Sequence, residues 1–283
     1  MIDPATISGE QLQKRYYVPP QPEILQRLLQ IKESPEPDVI SAANLVAADV
    51  GLASAVLRTI NSPYFGMRGR VADIRQAAVL LGTDALFNLV TVYQLRQALQ
   101  LPACLQLGRF WDTSSETART CVRVGRMRGI PIPKEELYAL GLFHDCGIPL
   151  MAQLHPDYRE VLAWINTDYE RSATAIERER YGNDHSVLGF VVATTWGLPS
   201  HIAGAILQNH ERDLWDLSRD DTLKTLVAVL KWSQNLVDRA HRGCDNPDWA
   251  HHRDGVCRTL GMDEEELESP LPVAPPSQAG GHC

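Results

Sequence analysis

The sequence lacks the cysteine pairs and long apolar runs that mark several common classes of protein. It has six cysteines but no C-x-x-C pair, and at 283 residues it is long enough to fold without disulfides, so we expect reduced thiols. No apolar run approaches the roughly 18 residues of a membrane-spanning helix, and no basic start with an apolar stretch opens the chain. These features predict a cytoplasmic protein with no membrane partner.

Basic residues are also scarce, and strand patterns are missing. The 27 Lys and Arg residues against 35 Asp and Glu residues give a formal net charge of -8, which repels phosphate backbones, so nucleic acid is not an expected partner. Hydrophobic residues make up 44% of the chain, enough for a core. They recur at helical spacing, as at Ile24, Leu25 and Leu28, and convincing period-two strands are absent. The sequence therefore predicts an all-α fold.

The helical pattern divides into two lobes. A proline-containing segment near residue 102 separates an N-terminal helical lobe, residues 18–103, from a second helical lobe, residues 104–262. Residues 1–17 form an N-terminal extension. The Pro-, Gly- and Ser-rich residues 263–283 offer little to bury, so we expect a disordered tail.

Helix boundaries are predicted from capping residues. Asp38, Asp49 and Asp73 each precede a helical pattern and can accept hydrogen bonds from its free amides. Gly82 is predicted to end the helix that Asp73 begins. The apolar stretch from Lys134 to Leu154 reads as one continuous helix.

The pair His144-Asp145 is the main candidate for chemistry. Imidazole and carboxylate are ordinary metal ligands, but a catalytic zinc site takes three protein ligands and a water, and adjacent helical residues point about 100° apart. Other segments must therefore supply the remaining ligands. The neighbouring Cys146 is predicted to be an inert core thiol, because an apolar environment raises a thiol's pKa.

Three ordered motifs resemble one family. They are the Pro-rich start Val18-Pro-Pro-Gln-Pro-Glu-Ile24 with the loop Asn61-Ser-Pro-Tyr-Phe-Gly66, the helix Leu140-Gly-Leu-Phe-His-Asp-Cys-Gly147, and Tyr181-Gly-Asn-Asp-His-Ser-Val-Leu-Gly189 with Trp196-Gly-Leu-Pro199. Over residues 18–241 the chain resembles the HDOD domain, a branch of the HD superfamily found in bacterial signalling proteins. The resemblance implies a two-lobed all-α fold whose second lobe is related to metal-dependent phosphohydrolases.

The resemblance also implies an incomplete metal site. Catalytic relatives hold the metal with a histidine on an early helix, the histidine-aspartate pair and an aspartate on a late helix. The pattern Phe110-Trp-Asp-Thr-Ser114 places Thr113 at the early position, and Gln234 is the nearest match to the late one. The Gly-Tyr-Pro signature of the cyclic-di-GMP-cleaving branch is absent after His210.

Losing ligands of this kind weakens metal binding strongly. We therefore expect no catalytic residue, no cofactor and no bound metal, with His144 and Asp145 left as a vestigial pair that satisfies its own hydrogen bonds. One alternative is a metal retained through Asp184, His185 or His210. Capping of the next helix explains Asp184 without a metal, and a helix C-terminus explains His210.

The loop from residue 61 to residue 70 is the candidate partner-binding segment. Its aromatic and basic side chains match the make-up of interface anchors. The alternative is that the aromatics tuck under the loop and join the two lobes. The candidate residues are Asn61, Tyr64, Phe65, Arg68 and Arg70.

A second candidate surface is basic. Arg119, Arg123 and Arg126 lie at i, i+4 and i+7, on one face of a helix, and form a candidate anion patch. A solvated face paired with local carboxylates is the alternative.

The sequence thus predicts a non-catalytic signalling or regulatory module that binds a protein partner. One rival is a metal-dependent phosphohydrolase acting on a nucleotide or cyclic dinucleotide. Another is a nucleotide-sensing pseudo-enzyme whose degraded pocket holds a nucleotide ligand without cleaving it.

Overall fold

The chain folds into helices throughout the part that the structure describes. The computed structural model describes residues 18–65, 67, 69–99 and 107–268. Within these ranges the elements are helices and turns, with no strand, so the all-α prediction is confirmed. The predicted extension of residues 1–17 lies outside the described residues.

In the described residues, the N-terminal lobe contains four α-helices and a short 3-10 turn. The helices are α1 (Glu23–Lys32), α2 (Val39–Ala47), α3 (Val50–Ile60) and α4 (Ile74–Ala98), with the turn at Pro63–Phe65. The predicted caps are confirmed: the carboxylates of Asp38, Asp49 and Asp73 each accept backbone amide hydrogen bonds at the start of α2, α3 and α4.

Helix α4 is the long central helix of this lobe. It is kinked at Gly82, where φ is 84° and ψ is 172°, so the predicted helix end appears as a sharp bend that a residue without a side chain adopts at low cost. By length and composition α4 could cross a membrane, but 56% of its most apolar window is buried inside the protein. The bent pair α2 and α3 passes the same test together. The burial of α4 is that of a core helix.

The second lobe is built around one long helix. Its elements are α5 (Leu107–Met127), α6 (Lys134–Phe143), α7 (Ile148–Leu154), α8 (Tyr158–Ile165), α9 (Ala173–Tyr181), α10 (His185–Thr195), α11 (Ser200–Gln208), α12 (Leu214–Leu217), α13 (Asp221–Arg242), α14 (Trp249–Leu260) and α15 (Glu264–Glu268). Helix α13 packs against α5, α6, α11 and α14 and buries most of its length.

The predicted continuous helix from Lys134 to Leu154 is wrong. Helix α6 ends at Phe143 and α7 begins at Ile148, with a turn between them. The cause is a close approach of two backbones: a Cβ on Gly147 would lie 1.9 Å from the carbonyl oxygen of His185. The break leaves the His-Asp pair at the carboxyl end of α6, facing the start of α10.

The predicted tail also differs at its beginning. Glu264–Glu268 forms α15, and Leu267 is 2% exposed. The Arg128 guanidinium lies 3.1 Å from Glu266. This part of the predicted tail is therefore folded onto the second lobe, and residues 269–283 lie outside the described residues.

The two lobes are joined by buried contacts. The Trp196 indole donates a hydrogen bond to the carbonyl oxygen of Pro19 at 2.9 Å, so the start of the N-terminal lobe lies on the second lobe. The Lys134 ammonium donates to the Phe65 carbonyl at 2.9 Å. The Phe65 ring meets Tyr138 edge-on, with 5.7 Å between centroids. The loop after α3 is therefore fixed against α6.

Candidate functional site

The His-Asp pair is held at the end of α6. The His144 Nδ1 lies 2.8 Å from the Gly141 carbonyl oxygen and donates to it, and Nε2 lies 3.1 Å from Asp145 Oδ2. The two side chains therefore contact each other, and the imidazole also contacts nearby backbone. One atom is left over: Asp145 Oδ1 is buried without a hydrogen-bond donor.

His185, the first residue of α10, is buried beside this pair. Its Nδ1 lies 2.7 Å from Glu177 Oε2, and its Nε2 lies 3.1 Å from His210 Nε2 and 3.6 Å from Asp145 Oδ1. Glu177 also accepts the His185 amide at 2.9 Å and the Tyr158 hydroxyl. The orientation of His185 is therefore fixed by a carboxylate that is itself fixed by a buried tyrosine.

His210 is oriented in the same way. Its Nδ1 hydrogen-bonds to Asp248, whose carboxylate also lies 3.1 Å from the Lys231 ammonium. Lys231 is 2% exposed and lies 3.4 Å from His210 Nδ1. Both imidazoles thus have Nδ1 on a carboxylate, which leaves Nε2 of each pointing at the other, the orientation typical of metal-binding histidines.

Asp145, His185 and His210 form what we call the histidine cluster. Their candidate ligand atoms all lie within 4.8 Å of one another. Two nitrogens that each lie about 2.1 Å from one ion are about 3.0–3.4 Å apart at ordinary ligand angles, and the two Nε2 atoms are 3.1 Å apart. With the unpartnered Asp145 Oδ1, this donor set fits one divalent cation.

The negative charge of the cluster can be balanced either by protons on the imidazoles or by a bound cation. Three buried or half-buried carboxylates (Asp145, Glu177 and Asp248) against the Lys231 ammonium leave two excess negative charges. Burial opposes a charge on His185, but the Glu177 and Asp145 carboxylates prevail and raise its pKa well above the ordinary value. Burial and the Lys231 charge lower the pKa of His210, so His185 donates to a neutral His210. Protons therefore compete with a cation for this site.

A cavity of about 100 Å³ lies beside the cluster. Gln234 lines it, and its Oε1 is buried without a partner, so the residue predicted at the late-aspartate position does lie at the site. Thr113 does not lie at the site. Its side chain is exposed, because the buried face of α5 is formed by Ser114, Thr117 and Ala118. The predicted placement of Thr113 at a ligand position is wrong.

The residues considered as alternative metal ligands differ in the roles that they play in the structure. The Asp184 carboxylate accepts the Val187 amide at 2.9 Å and caps α10, as predicted. Asn209 ends α11, also as predicted, but His210 enters the cluster instead of serving the helix end. Cys146 is buried, and burial raises the pKa of its thiol, in agreement with an inert core residue.

Several residues of the site were not predicted from the sequence. Tyr158, Glu177, Lys231 and Asp248 were missed, and no local signal identifies them: Asp248 is 38 positions from His210. The expectation of an incomplete coordination sphere was based on the early and late helices. The alternative that named His185 and His210 as ligands identified two of the three donors that the structure brings together, on α10 and at the end of α11.

Two residues of the candidate partner loop, Asn61 and Phe65, hold the loop in place. Asn61 donates to the Val71 carbonyl and accepts the Val71 amide, both at 2.8 Å, which closes the loop. Phe65 is 3% exposed and packs between the lobes, so for this residue the alternative is correct.

The remaining loop residues are more accessible. Tyr64 is half-buried below the Arg119 guanidinium, 5.9 Å from the ring centroid, and Arg70 is exposed. Arg68 lies outside the described residues. Arg119 of the predicted anion patch contacts the loop through Tyr64, whereas Arg126 is exposed and Arg123 is half-buried farther along α5.

These features define an all-α protein of two helical lobes, in which a histidine-aspartate pair ends one helix beside two carboxylate-oriented histidines. The model of the HDOD domain family matches residues 18–212, well over half of the chain. The protein therefore belongs to the HDOD domain family.

Solved structures share this fold at low identity. The "Putative phosphohydrolase" of Shewanella amazonensis SB2B is 20% identical, with a TM-score of 0.67 over 90% of this chain and 91% of that one. An HDOD domain protein with unknown function from Geobacter sulfurreducens is 21% identical, with a TM-score of 0.64 over 91% of each chain. The "Putative signal transduction protein" of Marinobacter aquaeolei VT8 is 22% identical, with a TM-score of 0.66 over 91% of this chain and 56% of that one.

A curated relative is much longer than the matched region. An uncharacterized protein from Treponema pallidum (strain Nichols) is 23% identical over 192 residues, which is 67% of this chain and 37% of that protein. This chain therefore corresponds to little more than a third of that relative.

Proposed function

We propose that this HDOD domain is a non-catalytic signalling module that acts by binding other molecules. The observation that carries the proposal is the size of the cavity beside the histidine cluster, about 100 Å³. Pockets that enclose a small molecule typically measure about 300–1,000 Å³. A cavity of this size does not enclose a nucleotide or a cyclic dinucleotide.

The charges beside the cavity support the same proposal. Phosphoryl transfer needs positive groups aimed at the phosphate oxygens. Lys231 is engaged with Asp248, and Arg171 at the cavity wall is engaged with Asp168, 3.1 Å away. A phosphate ester at this cavity would meet the half-buried Asp145 carboxylate instead.

A hydrolysis assay tests the proposal. The purified protein is incubated with Mn²⁺ and bis(p-nitrophenyl) phosphate, and we expect the same rate of nitrophenol release as from the Asp145→Asn variant. His201→Gln is the matched control, because His201 pairs with Glu136 away from the cavity. Turnover that persists in His201→Gln and disappears in Asp145→Asn would contradict the proposal.

The second candidate function is a metal-dependent phosphohydrolase. The observation in its favour is the donor set of Asp145, His185 and His210, which fits one divalent cation. Such an ion, when bound, supplies a Lewis acid and lowers the pKa of a coordinated water. The name of the Shewanella protein of similar fold agrees with this candidate.

Metal analysis separates the two candidates when it is combined with the assay. The phosphohydrolase predicts about one equivalent of Mn, Fe or Zn in the purified protein, lost in His185→Ala and His210→Ala, together with turnover. Substoichiometric metal without turnover rejects it. One equivalent of metal without turnover assigns the ion a structural role and leaves the signalling proposal in place.

The binding part of the proposal concerns the accessible side of the partner loop. Arg70 is exposed and Tyr64 is half-buried, which suits them to contact a protein partner. The name of the Marinobacter protein of similar fold agrees with a signalling role.

Site-specific photo-crosslinking in cells tests this contact. A crosslinking residue at position 70 is expected to give a discrete adduct with one protein. The same residue at position 27, which is exposed on α1, is the control and is expected to give none. No adduct at position 70, or the same adduct from both positions, contradicts a partner site at the loop.

A further inference from the structure

A groove of about 540 Å³ opens between the two lobes. Its walls are α3 and α4 of the N-terminal lobe and α5 and α6 of the second lobe. It has no lining residue in common with the cavity beside the histidine cluster. Its volume lies within the range of pockets that enclose a small organic molecule.

The groove concentrates positive charge in an acidic protein. Arg58, Arg96 and Arg119 line it, and no lining residue is Asp or Glu, although the chain carries a formal net charge of -8. Among the residues that the structure describes, no carboxylate pairs with these three guanidinium groups. Arg96 lies over the Trp111 ring at 5.7 Å, and Arg119 lies over Tyr64. All three side chains are exposed, so their hydrogen-bond donors remain free for a ligand.

Hydroxyl groups and aromatic rings complete the lining. The hydroxyls of Thr59, Ser62 and Ser115 donate to backbone carbonyl oxygens within four residues, so their oxygens are left to accept from a ligand. Tyr93 and Tyr138 contribute both a ring and a hydroxyl. Burial raises the pKa of Tyr138, against the opposing positive charges of Arg119 and Arg96, so its hydroxyl stays protonated and able to donate.

Guanidinium groups match phosphate oxygens in geometry and charge, and each can donate two parallel hydrogen bonds. Three of them suit a ligand with several phosphate charges. Tyrosine rings offer flat apolar faces on which a heterocyclic base can stack. The concave shape and the volume favour a small molecule over an extended acidic peptide.

We propose that the interlobe groove binds a nucleoside polyphosphate, with Arg58, Arg96 and Arg119 on the phosphates. The ligand is held by both lobes, since Arg58 and Arg96 belong to the N-terminal lobe and Arg119 to the second. This assignment is independent of hydrolysis at the histidine cluster and goes beyond the proposed signalling role.

Isothermal titration calorimetry with GTP and ATP on the full chain tests the proposal. We expect saturable binding of at least one nucleotide, weakened at least tenfold in Arg96→Ala and in Arg119→Ala and weakened by higher salt. Arg27→Ala on α1 and Arg126→Ala on α5 are controls with unchanged affinity. Because all four arginines are exposed, the thermal midpoints should stay equal, and circular dichroism verifies this.

Several results would overturn the proposal. The first three are the lack of saturable binding of either nucleotide at millimolar concentration, equal affinity in the groove variants, and a loss of binding in Asp145→Asn, which would move the nucleotide to the histidine cluster. The fourth is tighter binding of an oligoglutamate peptide than of either nucleotide, which would assign the groove to an acidic protein segment. Inorganic tripolyphosphate is titrated in the same way. If the protein binds it as tightly as it binds the nucleotide, the base has no role in binding and the assignment to a nucleoside is overturned.

Discussion

Individual residues of the histidine cluster are fixed by partners on other helices. Glu177 on α9 holds His185 on α10, and Asp248 before α14 holds His210 after α11. A hydrogen bond between buried groups contributes modestly when made and costs more when one partner is removed. The hydrogen bonds that orient His185 begin at the buried Tyr158, whose hydroxyl donates to Glu177.

The first prediction concerns Tyr158→Phe. The change leaves a buried carboxylate oxygen of Glu177 without its donor, so we expect a loss of about 1–3 kcal/mol in the free energy of unfolding. Urea denaturation measures it. Tyr169→Phe is the control, because Tyr169 is 46% exposed and its hydroxyl has no partner among the described residues. An equal effect of both changes would contradict the role given to Tyr158.

The second prediction concerns pH and His252. This residue is fully buried and accepts the Trp215 indole N–H at 3.1 Å. Burial, together with the nearby Lys231 charge, lowers the pKa of His252 from 6.5 to about 2. As the pH falls, His252 binds a proton near pH 6.5 in the unfolded chain but only near pH 2 in the folded protein. The stability that neutral His252 contributes above pH 6.5 is therefore lost as the pH falls toward 2. The loss from this group between pH 7 and pH 5 is about 2 kcal/mol.

The variant His252→Asn isolates this effect. Asparagine can accept the indole hydrogen bond but does not titrate, so its free energy of unfolding should decrease less between pH 7 and pH 5 than that of the wild type. Denaturant titrations at the two pH values measure the difference. The same decrease in both proteins would show that His252 does not control it.

Helical elements divide into those that local sequence determines and those that it does not. The caps Asp38, Asp49, Asp73 and Asp184 were predictable, because the carboxylate and the amides that it accepts lie within three residues. The kink at Gly82 was predictable because the backbone freedom of glycine is also a local property. The break between α6 and α7 was not, because it arises from contact with α10 about 40 residues later, and the same distance hid Asp248 from sequence reasoning.

The third prediction uses the close approach of α7 and α10. A Cβ at Gly147 would lie 1.9 Å from the His185 carbonyl oxygen, so Gly147→Ala should cost about 3 kcal/mol or more. Gly204→Ala is the control: nothing lies within 4 Å of a Cβ there, and alanine should stabilise α11 by up to about 1 kcal/mol. Thermal denaturation compares the two. A Gly147→Ala variant as stable as Gly204→Ala would contradict the described packing.

The whole molecule should unfold as one unit, because the lobes share buried contacts. All six tryptophans lie in the second lobe, so their fluorescence reports on that lobe, whereas far-UV circular dichroism reports on both. The fourth prediction is that the two signals change at the same denaturant concentration. Phe65→Ala, which removes a side chain packed between the lobes, should lower both midpoints together. Two separate transitions would contradict this prediction.

Helix α6 lies between the cavity beside the histidine cluster and the interlobe groove. Tyr138 and Leu142 face the arginine-lined groove, and Asp145, immediately after the helix, faces His185 and His210. A rotation of α6 that opens one space must therefore reposition a carboxylate in the other. We therefore expect a ligand that moves α6 from the groove side to shift the Asp145 carboxylate relative to the two imidazoles, because only ten residues of helix separate the two spaces.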